Sequence, residues 1–148
     1  LKLIAQNKKA RHDYYILETL EAGIVLKGTE IKSIRQHKVS LQDAYCTIKK
    51  DELYVIGMYI AKYKQGNIFN HDERRTRKLL LHKQEIRRLK NKLKGESLTI
   101  IPTKIYISNG YCKLEIAIAK GKKQYDKRQT LKERDIKRQL EQSQKYRS

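Results

Sequence analysis

Tryptophan is absent from this chain, and phenylalanine and proline each occur once. With a single Pro there is no proline-rich linker, and no internal repeat or low-complexity segment divides the chain. Cysteine is scarce as well. Cys46 and Cys112 are the only two, neither lies in a Cys-x-x-Cys pair, and both alternate with apolar neighbours. That pattern argues against a disulfide framework and predicts small buried hydrophobes in a reducing cytoplasm. His12, His37, His71 and His82 are too widely spaced to make a recognised ligand motif, so no metal and no cofactor are expected. No apolar run approaches the roughly 18 residues of a spanning helix. The opening Leu1-Lys-Leu-Ile-Ala5 is too short an apolar stretch for a signal peptide, and a first residue other than Met reads as a trimmed chain. There is also no Gly-rich phosphate loop, no Ser elbow and no His-Glu-x-x-His. Carboxylates are scattered: Glu21, Glu30, Asp43 and Asp72 read as solvated, capping or turn residues. No catalytic residue is assigned, and the chain does not read as an enzyme.

Positive charge is what the chain has in excess. Its 148 residues carry 35 Lys and Arg against 16 Asp and Glu, a formal net charge of +19. Such a charge opposes compaction by self-repulsion, and solubility alone does not call for it. A polyanionic partner does, either nucleic acid or an anionic membrane surface. The cations fall in four places: Asn7 to His12, Lys32 with Arg35, Arg74 to Lys78, and Lys120 to Arg128. From Gly121 to Ser148 there are ten Lys or Arg and four Asp or Glu, with Leu131, Ile136 and Leu140 the only aliphatic side chains. That segment cannot bury enough apolar surface to offset its ordering entropy. The composition therefore predicts one domain over 1–120 and a basic tail over 121–148 that is mobile alone and orders against a polyanion.

Periodicity fills in the domain. Tyr14 to Leu17 and Ile24 to Leu26 read as strands, with Gly23 marking a bend or bulge between them. Thr29 is placed to cap a helix from Glu30 to His37 that sets Ile31 and Ile34 on one face and Lys32 and Arg35 on another. Further strands are predicted at 44–49, 53–60, 98–101, 104–107 and 111–119, with turns at Lys50-Asp51 and Asn109-Gly110. Residues 62–78 form a long loop. A helix from His82 to Lys94 follows, with Ile86, Leu89 and Leu93 on its buried stripe and Gly95 ending it. Thr130-Leu-Lys-Glu133 has capping-box form, so the tail has a point from which to become helical. Short strands interrupted by two helices suggest a mainly β (α+β) domain, an OB-type antiparallel β-barrel with short flanking helices.

Of the ten tyrosines, Tyr14, Tyr15, Tyr45, Tyr54, Tyr59, Tyr106 and Tyr111 lie on or beside strands, where core packing is the expected role. Tyr63, Phe69 and Tyr125 sit in polar surroundings and could stack on unpaired bases. Stacking rings beside cations favour folded RNA with loops over plain duplex. The residues alone leave a general RNA-binding module and an RNA-processing enzyme as alternatives.

Several blocks carry a resemblance. Asn7-Lys-Lys-Ala-Arg-His12, Glu21-Ala-Gly-Ile-Val-Leu26, Gly28-Thr-Glu-Ile-Lys-Ser-Ile-Arg35, Gly66-Asn-Ile-Phe-Asn-His-Asp72, Arg75-Thr-Arg-Lys-Leu-Leu-Leu81 and Ala119-Lys-Gly-Lys-Lys-Gln-Tyr-Asp-Lys-Arg128 occur in order and cover nearly the whole chain. Together they resemble the bacterial tmRNA-binding proteins of the SmpB family. The resemblance implies an OB-type barrel that binds the tRNA-like domain of tmRNA and supports trans-translation, the rescue of stalled ribosomes in the cytoplasm. It also implies a tail lying in the empty message channel near the decoding site, against small-subunit ribosomal RNA. Elongation factor Tu and alanyl-tRNA synthetase would meet the protein through tmRNA.

By motif, Glu21, Leu80 and Lys113 match positions important for tmRNA binding. Lys113 can meet a phosphate, and Glu21 can orient a basic neighbour or accept from a base edge. Leu80 can offer an apolar surface to a splayed base or pack in the core. Asn7, Lys8, Arg11 and His12 match a basic block expected to add RNA contacts, as are Lys32, Arg35, Arg77 and Lys78. Lys122, Lys123, Tyr125, Asp126, Lys127 and Arg128 fall on the tail motif that acts on the ribosome. Tyr125 stands where some relatives carry His, so it cannot gain a proton near neutral pH. Glu73 stands where relatives commonly have Pro.

Overall fold

The structure, a computed structural model, describes residues 1–65, 70–95, 97–123 and 127–128. Phe69, Tyr125, Asp126 and residues 129–148, with the Thr130 capping box, lie outside the described residues. In chain order the elements are β1 (Lys2–Gln6), α1 (Ala10–Asp13), β2 (Tyr14–Ile24), α2 (Gly28–Arg35), β3 (Val39–Ser40) and β4 (Tyr45–Lys49). They continue with β5 (Glu52–Ile56), β6 (Tyr59–Ile60), β7 (Arg77–Leu80), α3 (Lys83–Leu93), β8 (Leu98–Ser108) and β9 (Tyr111–Gly121).

Seven strands form one antiparallel sheet in the order β1-β8-β4-β5-β7-β2-β9, and β8 also pairs with β9. The pairings from β8 through β4, β5, β7, β2 and β9 thus return to β8, with β1 as an outer addition. Two tight turns set the register on either side of this ring. Asn109 (φ 52°) and Gly110 (φ 80°) join β8 to β9, and Lys50 (φ 51°) and Asp51 (φ 61°) join β4 to β5. Two successive positive φ values match the right-handed twist of the strands they connect.

The two segments read as separate strands at 14–17 and 24–26 are instead one long strand, β2. Its register shift falls between Ile16 and Glu18, not at Gly23. The predicted strands at 98–101 and 104–107 are likewise one strand, β8, shifted between Pro102 and Lys104. Proline cannot donate to the ladder and is tolerated at such a bulge, so the only Pro bends this strand without ending it.

The core lies inside the ring. Leu53, Val55, Leu79, Ile105, Leu114 and Ile116 point inward and are fully buried, joined by Ile34 of α2 and Leu89 of α3. Outside the ring, Ala10 of α1 packs on Ile101, Ala117 and Ala119. α3 is one residue shorter at each end than predicted, with His82 and Lys94 as its caps: Ile86 and Leu89 are buried, and Gly95 (φ 75°) follows Lys94. α2 starts earlier than predicted. The Lys27 amide donates to Glu30 Oε1 at 2.8 Å, whereas the Thr29 hydroxyl lies 2.9 Å from His71 Nδ1 and does not cap.

Two charged residues lie deeper in the fold than the sequence indicates. Glu30 is fully buried; of the roles read for it, capping holds, through the Lys27 amide, and solvation does not. It takes hydrogen bonds from Arg75 at 2.5 Å and from Arg77 Nε. Arg77 is also fully buried and donates to Met58 O at 2.6 Å and Glu73 O at 3.2 Å. Arg77 was expected to contact RNA. Alternation along β7 explains the difference: Arg77 and Leu79 face inward, while Lys78 and Leu80 face out. Burial raises the Glu30 carboxyl, but hydrogen bonds from Arg75, the Lys27 amide and Arg77 outweigh it and hold the group below its ordinary value.

Candidate nucleic-acid interface

The outer face of the ring is set by strand register. Across one row, Tyr106 of β8 pairs with Lys113 of β9, Lys113 with Gly23 of β2, and Gly23 with Leu80 of β7. Glu21 lies two residues before Gly23 on the same face. Three residues distant in sequence, Glu21, Leu80 and Lys113, therefore line one shallow groove of about 370 Å³, together with Gly23, Leu81, His82 and Glu85.

Each side chain has a defined state. Leu80 is 52% exposed, which removes the core-packing alternative left open by its sequence. Gly23 forms the floor beside it: a Cβ there would stand 3.2 Å from Leu80 Cβ, tighter than ordinary contact. The absence of a side chain keeps the row open between the Lys113 ammonium and the Leu80 methyls. Glu21 is exposed but oriented, because the Tyr106 hydroxyl donates a hydrogen bond to its Oε2. Burial, reinforced by that Glu21 contact, pushes the Tyr106 hydroxyl up, so it remains a neutral donor through the physiological range. The groove thus offers a cation, a fixed carboxylate acceptor and an apolar surface side by side. These are the components needed to hold a phosphate, a base edge and a splayed base.

Tyr106 and Gly23 were missed as site residues in the sequence. Tyr106 read as core, and it is indeed 7% exposed; only its register with Lys113 reveals the hydroxyl's task. Tyr111 also read as core but is 71% exposed.

The remaining predicted residues divide among other surfaces. Lys32 and Arg35 are exposed on α2, and the Lys32 ammonium lies 5.3 Å from the Tyr63 ring centroid. Lys78 faces out and pairs with Glu52 at 3.5 Å. Asn7, Lys8 and Arg11 line a second groove of about 140 Å³ with Gln6, Thr103 and Lys104, sharing no residue with the first. Asn7 is tied to β8, its amide donating to Thr103 O at 2.7 Å and its side chain to Pro102 O at 3.3 Å. His12 bonds Asp13 at 3.0 Å, and that hydrogen bond, with help from Lys127, holds the Asp13 carboxyl low against the opposing effect of burial.

At the far end of β9 the chain turns onto the same side. The Lys122 amide donates to Asp13 O at 2.9 Å, and its ammonium donates to Arg11 O at 2.9 Å and lies 4.9 Å from the Tyr15 ring centroid. Lys127 approaches Asp13 at 3.4 Å. Lys123 and Arg128 are exposed. Away from these grooves, Arg88 and Lys92 of α3 are occupied by Glu18 at 2.8 and 2.5 Å, which draws its carboxyl down to about 2. Cys46 is buried and Cys112 half-buried, both as free thiols, and burial pushes Cys112 up to about 11. Among the described residues no cluster of His, Cys, Asp and Glu could hold a metal ion, and no helix is long and apolar enough to cross a membrane.

Comparison with known proteins gives one answer throughout. The chain is 56% identical over 140 residues to the SsrA-binding protein of Enterococcus hirae, a match covering 95% of this chain and 91% of that one. It is 56% identical over 146 residues to the SsrA-binding protein of Listeria welshimeri, covering 99% and 95%. Among solved structures, one described as "tmRNA-SmpB: a journey to the center of the bacterial ribosome" matches with a TM-score of 0.68 and 50% identity, covering 81% of this chain and 85% of that one. The family model for SmpB protein matches residues 4–146, and the chain belongs to the SmpB family.

Proposed function

We propose that this protein binds the tRNA-like domain of tmRNA through the Glu21, Leu80 and Lys113 groove and supports trans-translation on stalled bacterial ribosomes. The observation that carries the proposal is the groove itself. Three residues picked out by motif, from three strands, meet in one open groove with the charge, acceptor and apolar surface that RNA recognition uses. The names of the relatives, SsrA-binding proteins, and the ribosomal setting of the structural match support it. The closed ring of pairings supports an OB-type barrel as the body, over about 1–120, with β9 running one residue further.

In this account the protein is a binding module without catalysis, acting in the cytoplasm. Lys8, Arg11 and His12 add contacts outside the groove, and Lys32, Arg35 and Lys78 extend its positive field. Arg77 is withdrawn from that set, because its guanidinium is spent on Glu30 and main-chain oxygens. Residues 121–148, with Lys122, Lys123, Tyr125, Asp126, Lys127 and Arg128, are assigned to the empty message channel and small-subunit ribosomal RNA. Elongation factor Tu and alanyl-tRNA synthetase act on the same complex through tmRNA.

Competition at physiological salt tests the RNA assignment. Unlabelled tmRNA should displace labelled tmRNA at far lower concentration than an unrelated structured RNA of equal length. Equal displacement by both would leave only a general RNA-binding module. Salt is fixed in both arms because the phosphate contribution depends on it.

A further inference from the structure

Tyr111 has an exposure that its place beside the core does not explain. It opens β9, is 71% exposed, and among the described residues its hydroxyl makes no hydrogen bond. Strand alternation puts it on the same outer face as Lys113, two residues and about 7 Å along the strand. On its other side runs a separate groove of about 250 Å³, lined by Ile24, Leu26, Ile31, Arg35 and Tyr111 among others. Ile31, at 38% exposure, adds apolar surface in the same groove. An aromatic ring held in water between two cations, Lys113 along the strand and Arg35 across the groove, is costly as packing. It is well formed for a nucleotide, whose base needs a flat apolar partner and whose flanking phosphates need positive charge.

We propose that Tyr111 is a stacking platform for one unpaired base of the bound RNA, forming a subsite beside the Glu21, Leu80 and Lys113 groove with Arg35 on its far lip. The base lies on the Tyr111 ring, while Lys113 and Arg35 take the phosphates before and after it. The register supports this continuity, since Lys113 lies beside Gly23 and Gly23 beside Leu80. The subsite rests on the RNA-binding role assigned to that groove.

The test is equilibrium binding of tmRNA to the full chain carrying Tyr111→Ala, Tyr111→Phe or Lys113→Ala. Tyr111→Ala should weaken binding roughly 5- to 150-fold, the range for loss of one stacked base. The slope of log affinity against log salt should not change, because the ring carries no charge. Tyr111→Phe should retain affinity. Lys113→Ala should weaken binding and also flatten the slope. Because the chain contains no tryptophan, Tyr111→Trp supplies a sole indole whose fluorescence should fall on adding tmRNA. Unchanged affinity for Tyr111→Ala, or unquenched indole emission with tmRNA bound, overturns the subsite. If either occurs while Lys113→Ala still weakens binding, the RNA-binding groove stands without it. If Lys113→Ala changes nothing, the groove assignment itself fails.

Discussion

Replacing Arg77 by Met should destabilise the fold by about 3–5 kcal/mol, the cost of removing one partner from a buried ion pair. Both members are fully buried, so solvent offers Glu30 no substitute. Arg75 remains bonded to Oε1 at 2.5 Å, which places the loss toward the lower end of that range. The Met58 and Glu73 carbonyls would also lose their guanidinium donor and remain as buried acceptors. Glu30→Gln should cost a similar amount at neutral pH and provides the pH signature. The folded carboxyl sits below its ordinary value near 4.5. A lowered folded value means the charged form is favoured by folding. The stabilisation is therefore complete above pH about 4.5 and is lost as pH falls through the lower folded value. Denaturant midpoints for parent and Glu30→Gln should differ most above pH 4.5 and converge below it. A constant difference across that window would mean that the carboxylate charge does not stabilise the fold.

A chain ending at Lys123 should keep its affinity for tmRNA and lose peptide tagging on stalled ribosomes. The cut belongs there and not after residue 120. β9 runs through Gly121, and Lys122 is bound to Asp13 and Arg11 by its amide and ammonium, so an earlier cut would expose the α1 end of the body. The Glu21, Leu80 and Lys113 groove draws on β2, β7 and β9 residues well before the cut. Its RNA contacts should be indifferent to the loss. Tag addition in a reconstituted stalled-ribosome reaction should be abolished even with tmRNA saturated. A large drop in tmRNA affinity for this shortened chain would refute the division between body and tail.

Local chemistry that decides local structure was legible in the sequence. Asn109-Gly110 reads as a hairpin because only a few residues adopt two successive positive φ values, and β8 and β9 are joined there. α3 was legible from Ile86, Leu89 and Leu93 with Gly95 beyond them. β8 was not, because Pro102 resembles a strand end; a register shift, which only the partner strand reveals, absorbs it. β1 was hidden because Lys2 to Gln6 is short, buries only Ile4 and gains its hydrogen bonds at the edge of β8. In the site, motif supplied Glu21, Leu80 and Lys113, but nothing in one strand shows that they share a groove.

Arg77 was misplaced for an instructive reason. In Arg74-Arg-Thr-Arg-Lys78 the charges look equivalent, yet alternation sends Arg77 inward with Leu79 and Lys78 outward with Leu80. Its buried acceptor, Glu30, comes from α2, 47 residues away. Tyr106 and Tyr111 were indistinguishable as strand tyrosines until the pairing put one beneath Glu21 and the other in water.

The salt dependence of tmRNA binding by Lys113→Ala tests the central claim most directly. If Lys113 neutralises a phosphate, the parent's plot of log affinity against log salt should lose about 0.7–0.9 of its slope in the variant, one counterion's release. Weaker binding at low salt should accompany it, with unchanged thermal stability. A slope equal to the parent's, with affinity intact, would contradict an RNA interface on the outer row of β2, β7 and β9.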